Sequence, residues 1–249
     1  MNTQKTLAQL VDENFVYASV LFHFGIPFFD LPHLSLQETC RLYGVSESRM
    51  MKMLEQTVRD RNASKEAGLL QYPAGLIIAY LQHAHHIFIK QRLPYLGQLI
   101  GNLDDRCGAA PDLVQDLKFV FPLFAEDFIH HIYEEEDTLF TYIRSLEDFK
   151  EGKGSRSQMY YQLEQYSIQD FAVEHLVEDD EMAGIRRITQ GYALQPEHGQ
   201  LLRVVYQELQ AFEHELTVHA RVENEILFPK ALTLECQARA QWQGTISQN

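Results

Sequence analysis

Cysteine is scarce in this 249-residue sequence: Cys40, Cys107 and Cys236 lie far apart, with no C-x-x-C pair. That excludes a disulfide scaffold and a zinc knuckle, and makes a reducing cytoplasm the expected home. Basic side chains are also short, 21 against 35 acidic, giving a net charge of −14. A chain so acidic lacks the basic face that nucleic acid or anionic lipid requires. The apolar runs stay below the ~18 residues that a membrane-spanning helix needs, and the N-terminal residues Met1 to Lys5 carry no apolar signal core, so export is not expected. Glycine and proline are few, 13 and 8, and collect at a small number of places. At roughly 150 residues per domain the length allows one or two domains, each able to bury a core.

Between the breakers, apolar residues recur three and four apart rather than alternating, so the expected fold class is all-α. Residues 1–62 are predicted to form a small module of short helices, broken at Gly25-Ile26-Pro27 and Asp30-Leu31-Pro32 and followed by a polar stretch over 60–68. A second domain over 73–235 is predicted to contain four long helices: 73–102, 111–149 with a kink at Pro122, 167–190, and 196–233. Residues 150–157 read as a linker by composition. Two helical hairpins of this kind pack naturally as an antiparallel four-helix bundle.

An internal repeat appears at an offset of 88 residues. Phe121, Phe124, Phe128, His131, Glu135 and Leu139 follow steps of 3, 4, 3, 4 and 4, and Leu209, Phe212, Leu216, His219, Glu223 and Leu227 follow the same steps. Each set is one helical stripe, apolar at both ends and interrupted by a histidine and a carboxylate one turn apart. The leading helices supply matching histidines. His86 lies on a stripe with Leu76, Ala79, His83 and Ile89, and His175 lies on one with Ile168, Phe171, Glu178, Met182 and Ile185. His83 is an alternative to His86, or a polar residue at the site mouth. His85 and His130 fall about 100 degrees off the stripes and are expected in solvent.

A single His-x-x-x-Glu on a helix is common and usually a solvated pair. Two copies in register inside apolar stripes differ, because burying carboxylates and imidazoles without compensation costs several kcal/mol per ionised group. Two cations bridged by Glu135 and Glu223, with His86, His131, His175 and His219 as the remaining ligands, neutralise that charge. Mixed imidazole and carboxylate donors without thiolate favour iron, ahead of manganese, and disfavour a closed tetrahedral zinc site. Glu178 is a candidate partner for a ligand imidazole. The runs Glu134–Asp137 and Glu178–Glu181 read as mostly solvated faces.

At these residues the chain resembles the hemerythrin-like superfamily, and within it the repair-of-iron-centres family of di-iron proteins involved in iron–sulfur cluster repair. His219-x-x-x-Glu223-Asn224-x-x-Leu227-Phe228-Pro229 is similar to that family's last ligand helix, Glu174-His175 to its third histidine site, His131-x-x-x-Glu135 to its second-helix pair, and His86 followed by Leu93-Pro94 to its first. The resemblance implies an oxo-bridged centre of two iron ions with Glu135 and Glu223 as bridges. It also implies a role in oxidative or nitrosative stress, with damaged iron–sulfur proteins or iron acceptors as partners and small diatomic molecules as ligands. Classical oxygen carriers place a His-x-x-x-His pair on the third helix; this chain has Asp179 there, which disfavours that activity.

The first module resembles the family's short N-terminal domain through Ala18-Ser19-Val20-Leu21-Phe22, Gly25-Ile26, Leu36 to Cys40 and Tyr43-Gly44-Val45. It departs where the family carries two adjacent cysteines, since Phe28, Phe29 and Asp30 stand there. This puts in question any role needing that thiol pair. An oxygen or nitric oxide sensor signalling through the first module is therefore the alternative to repair. Residues 36–50 have the glycine-bearing turn of a helix-turn-helix, but Glu38, Glu47 and Glu55 offset Arg41, Arg49, Lys52 and Arg59 and leave no basic face.

Overall fold

The computed structural model describes residues 3–62, 69–104, 107–178 and 180–246, with the side chains of 60–62, 174, 176–178 and 243–246 outside the description. The side chain of Glu178, residue Asp179 and most of the polar stretch 60–68 therefore lie outside the described residues. The helices are α1 (Leu7–Glu13), α2 (Val16–His23), α3 (Leu36–Leu42), α4 (Glu47–Asn62), α5 (Ala74–Ile87), α6 (Leu93–Gly101), α7 (Pro111–Glu134), α8 (Thr141–Lys150), α9 (Arg156–Gln165), α10 (Ile168–Glu178), α11 (Ala183–Ile188), α12 (Gln200–Val222) and α13 (Phe228–Ile246). No strand occurs among the described residues, where the one β-type pairing is an isolated bridge between Thr6 and Ser35. No described helix is long and apolar enough to cross a membrane.

The chain divides into two compact units, each built from three stretches. The first comprises residues 1–65, 92–122 and 184–213. Its short helices start at sequence-encoded capping boxes: Thr6 with Gln9 opens α1 and Ser35 with Glu38 opens α3, each side chain satisfying an orphan backbone N–H of the other's turn. Leu7, Leu10, Leu21, Phe28, Leu36, Met50 and Leu54 form its buried apolar interior. Phe22 packs on Tyr95 at 4.8 Å between ring centroids, and Gln200 donates to the Ala8 carbonyl at 2.9 Å. The N-terminal helices thus share a core with parts of the long helices, whereas the sequence suggested a cut between 62 and 73. Arg92 and Glu208 form a buried ion pair at 2.8 Å in this unit. Gly108, at φ +71°, lets the chain pass Glu197, whose carbonyl oxygen would lie 2.1 Å from any added Cβ.

The second unit comprises residues 66–91, 123–183 and 214–249. Its core joins Ile77, Ile78 and Leu81 of α5, Tyr142, Ile143 and Leu146 of α8, Met159 and Leu163 of α9, Ile168 of α10, and Phe228, Ala231 and Leu234 of α13. Tyr142 donates to Glu235 at 2.7 Å, and Arg239 reaches both Glu235 and the Leu163 carbonyl, so the buried Tyr142 and Glu235 are paired.

The helices differ from the sequence expectation in three places. The segment expected to run unbroken over 167–190 ends at Glu178 and resumes as α11. Helix α9 was not foreseen, because its ten residues are polar apart from a few positions and bury only Met159 and Leu163, one turn apart. The last helix continues past Thr233 to Ile246. Helix α7 passes through Pro122 without interruption.

Three π-helical turns interrupt otherwise continuous helices: Phe88–Arg92 between α5 and α6, Glu135–Phe140 between α7 and α8, and Glu223–Leu227 between α12 and α13. Two of them begin on the carboxylates singled out by the repeat. Such widened turns concentrate at functional sites because each carries an extra residue that redirects a side chain.

Candidate metal centre

All of the metal-directed groups lie in the second unit. Four imidazoles and two carboxylates converge, but the histidine from α5 is His85 and not His86. His85 is 1% exposed, whereas His83 and His86 face solvent. The reason is the phase of the helix. Its buried face is Ala74, Ile77, Ile78, Leu81, His85 and Phe88, and the stripe through Leu76, Ala79, His83 and His86 is the outer one, with Leu76 itself 49% exposed. Apolar residues at four consecutive positions, 76–79, support either phase in sequence, and only packing decides between them. His131, Glu135, His175, His219 and Glu223 do come together, and His130 points to solvent.

The donors form two sets whose ligand atoms lie within 4.8 Å of one another: His85, Glu135, His219 and Glu223, and His131, Glu135 and His175. Glu135 connects them. Its Oε2 is 3.6 Å from His85 Nε2, and its Oε1 is 3.7 Å from His131 Nε2 and 3.6 Å from His175 Nε2. Glu223 does the same in the opposite sense, with Oε1 3.3 Å from His219 Nε2 and Oε2 3.0 Å from His175 Nε2. Each carboxylate therefore offers one oxygen to each side, the disposition of a bridge.

The residues fit a pair of cations. Glu135 and Glu223 are 7% and 1% exposed, and the Oε1 atom of each, with His219 Nδ1, finds no hydrogen-bond partner among the described residues. Buried polar atoms in native proteins are ordinarily paired. His85 Nε2 and His219 Nε2 lie 2.9 Å apart, too close for two lone pairs unless a proton or a cation sits between them. Two bonds of about 2.1 Å at a right angle separate their donor atoms by about 3.0 Å. The donor set is oxygen and nitrogen without sulfur, which suits iron or manganese.

Electrostatics point the same way. Burial pushes the Glu135 carboxyl well above the usual carboxylate range, and the nearby Glu223, Glu181 and Glu136 charges push it further. Burial acts upward on Glu223 too, but His219 and His175 outweigh it and hold this carboxyl below its usual range. Burial, together with the neighbouring His219, pulls His85 down to about 4, although Glu136 opposes the shift. Without metal the Glu135 carboxyl is thus held toward its protonated form, and a bound cation would displace that proton.

Aromatic rings hold the leading histidines, and their placement repeats. Phe140 stacks on His85 at 5.6 Å with 6° between planes, and Phe228, 88 residues later, meets His175 edge-on at 5.5 Å. His85 and His175 are therefore equivalent positions. Phe140 and Phe228 end or follow the widened turns that begin with the two bridging carboxylates. Glu136, whose acidic run has the sequence pattern of a solvated face, instead accepts from His85 Nδ1 at 2.8 Å. Its only signal was adjacency to Glu135.

Comparison with known proteins agrees with this geometry. The hemerythrin HHE cation binding domain matches residues 77–231. Iron-sulfur cluster repair proteins YtfE of Yersinia pseudotuberculosis serotype IB (strain PB1/+) and of Yersinia pestis (strain Pestoides F) are each 24% identical over 162 residues, covering 65% of this chain and 67% of theirs. With more than half of its length matched, and with the paired His and Glu donors gathered in one helical unit, the chain belongs to the hemerythrin HHE cation-binding family.

Proposed function

We propose that this chain is a non-haem di-iron protein of the iron–sulfur cluster repair type, acting in the cytoplasm under oxidative or nitrosative stress. The observation that carries the di-iron reading is the two-sided presentation of Glu135 and Glu223, each aiming one oxygen at each histidine pair. His85 and His219 would hold one iron, His131 and His175 the other, and the two carboxylates would span them. When bound, the iron pair supplies one-electron redox change and exchangeable positions for small diatomic molecules. The protein's own part is to fix the six donors and to exclude bulk water with Phe88, Phe140 and Phe228. The repair assignment draws on the distant YtfE relatives and extends to damaged iron–sulfur proteins or iron acceptors as partners.

The sensor reading keeps a specific observation in its favour. Phe28 is 1% exposed and packs edge-on against Phe29, so the segment that carries a thiol pair in the resembled family is here part of an apolar core. The test is reconstitution. The protein purified from iron-replete cells should contain two irons per chain and restore an oxidatively inactivated iron–sulfur enzyme, and His219→Ala should abolish both properties. Two irons with no restoration, but iron-dependent binding to a partner protein or DNA, would favour the sensor; a chain that binds no iron overturns both readings.

A further inference from the structure

We propose that Glu181 is an entry ligand of the metal centre, a carboxylate at its open side that takes a ferrous ion from solvent onto His131 and passes it inward to Glu135. The proposal rests on the di-iron reading above and concerns how ions reach the six donors.

Solvent meets the donor set at His131. Its side chain is 27% exposed, against 1–11% for those of His85, Glu135, His175, His219 and Glu223. Glu181 stands at that opening, its own side chain also 27% exposed and its Oε1 3.9 Å from His131 Nε2. The same nitrogen lies 3.7 Å from Glu135 Oε1, a buried atom with no hydrogen-bond partner among the described residues. Two metal–ligand bonds of about 2.1 Å reach donor atoms up to about 4.2 Å apart. A single ion on His131 can therefore touch the outer carboxylate, the inner one, or each in turn. Carboxylate oxygen suits the first contact, because it replaces a water of the hydrated cation with another oxygen and adds a compensating charge.

A break in the helix brings Glu181 to this place. On an unbroken helix it would sit about 9 Å along the axis from His175 and be turned about 120 degrees from it, off the ligand face. Instead α10 ends at Glu178 and the chain turns before α11. The Ala183 amide donates to the Asp180 carbonyl at 3.0 Å within that turn, and Met182 is buried beside Glu181. A residue with the sequence pattern of an outer face is thereby set at the mouth of the site.

The experiment mixes the full metal-free chain anaerobically with two equivalents of ferrous iron and follows uptake by trapping unbound iron with a colorimetric chelator. Release from the loaded protein to the same chelator is followed separately. A residue that lowers the barrier to entry lowers the same barrier to exit. Glu181→Gln should therefore slow uptake and release alike, by on the order of 10-fold, while the final content stays at two irons per chain. Glu181→Ala should do the same. The slowing should persist in high salt, which screens an attracting field but not a ligand bond. Asp180→Asn removes a neighbouring exposed charge and should change neither rate. Equal slowing by Asp180→Asn, or slowing that vanishes in salt, would reduce Glu181 to one charge of an acidic field and overturn the proposal. Wild-type rates in both Glu181 variants would overturn it too. So would a fall to one iron per chain in those variants, which would make Glu181 a permanent ligand. A wild-type chain that takes up fewer than two irons would instead overturn the di-iron reading, and the entry role with it.

Discussion

Replacing His85 by alanine should lower bound iron from two to about one per chain, and replacing its neighbour His86 should leave it at two; metal analysis of the two variants distinguishes the inward face from the outer one. Glu135 sets a second expectation, through pH. Its carboxyl is raised in the folded, metal-free protein, so the unfolded chain releases that proton first and stability falls as pH climbs from the ordinary carboxylate range through the raised value. Glu135→Gln keeps the shape of the protonated acid and removes the titration. It should flatten that fall and raise the stability of the metal-free protein above the window by on the order of 1–3 kcal/mol, measured as urea midpoints against pH with chelator present. The sequence made His131, Glu135, His219 and Glu223 legible because they recur in register, one copy checking the other. The α5 helix offered no such check. It carries three histidines, His83, His85 and His86, and apolar residues on every side, so the phase depends on Ile77, Ile78 and Leu81 facing inward, which packing decides.

The widened turns belong to the scale of the element. Along α12 and beyond, His219, Glu223, Leu227 and Ala231 are spaced by fours, and along α7 and beyond so are His131, Glu135, Leu139 and Ile143. Three such steps span 12 residues where three ordinary turns take about 11. The surplus residue is what the π turn absorbs, and this spacing was visible in the sequence without being recognised. Deleting exposed Glu225 should convert Glu223–Leu227 to ordinary helix while the flanking segments keep their buried faces. Helical content measured by circular dichroism should hold, and iron content should drop below one per chain. Loss of helix in step with loss of iron would instead make the turn a requirement of folding. Helix α9 escaped the sequence for the opposite reason: two buried residues, Met159 and Leu163, are too little pattern to announce a helix.

For the whole molecule, metal and stability are linked, since ions that bind only the folded chain stabilise it by mass action. At a free iron level a thousandfold above the dissociation constant the gain is about 4 kcal/mol, equal to about 8–16 °C in melting temperature for a chain of this size. Chelation should lower the transition by that amount and added iron should restore it, followed by thermal scans. The all-helical class and the cation-binding family were legible at this scale because charge, breakers and the 88-residue repeat act over long stretches of chain. The grouping into units was not, because it depends on contacts such as Phe22 with Tyr95 that join distant segments. The matched π turns carry one more consequence. A widened turn at the same register in both halves sets each bridging carboxylate on its helix in the same way, so each helical hairpin presents its donors alike. Such a hairpin owns a single carboxylate and two imidazoles, half of what a pair of cations needs.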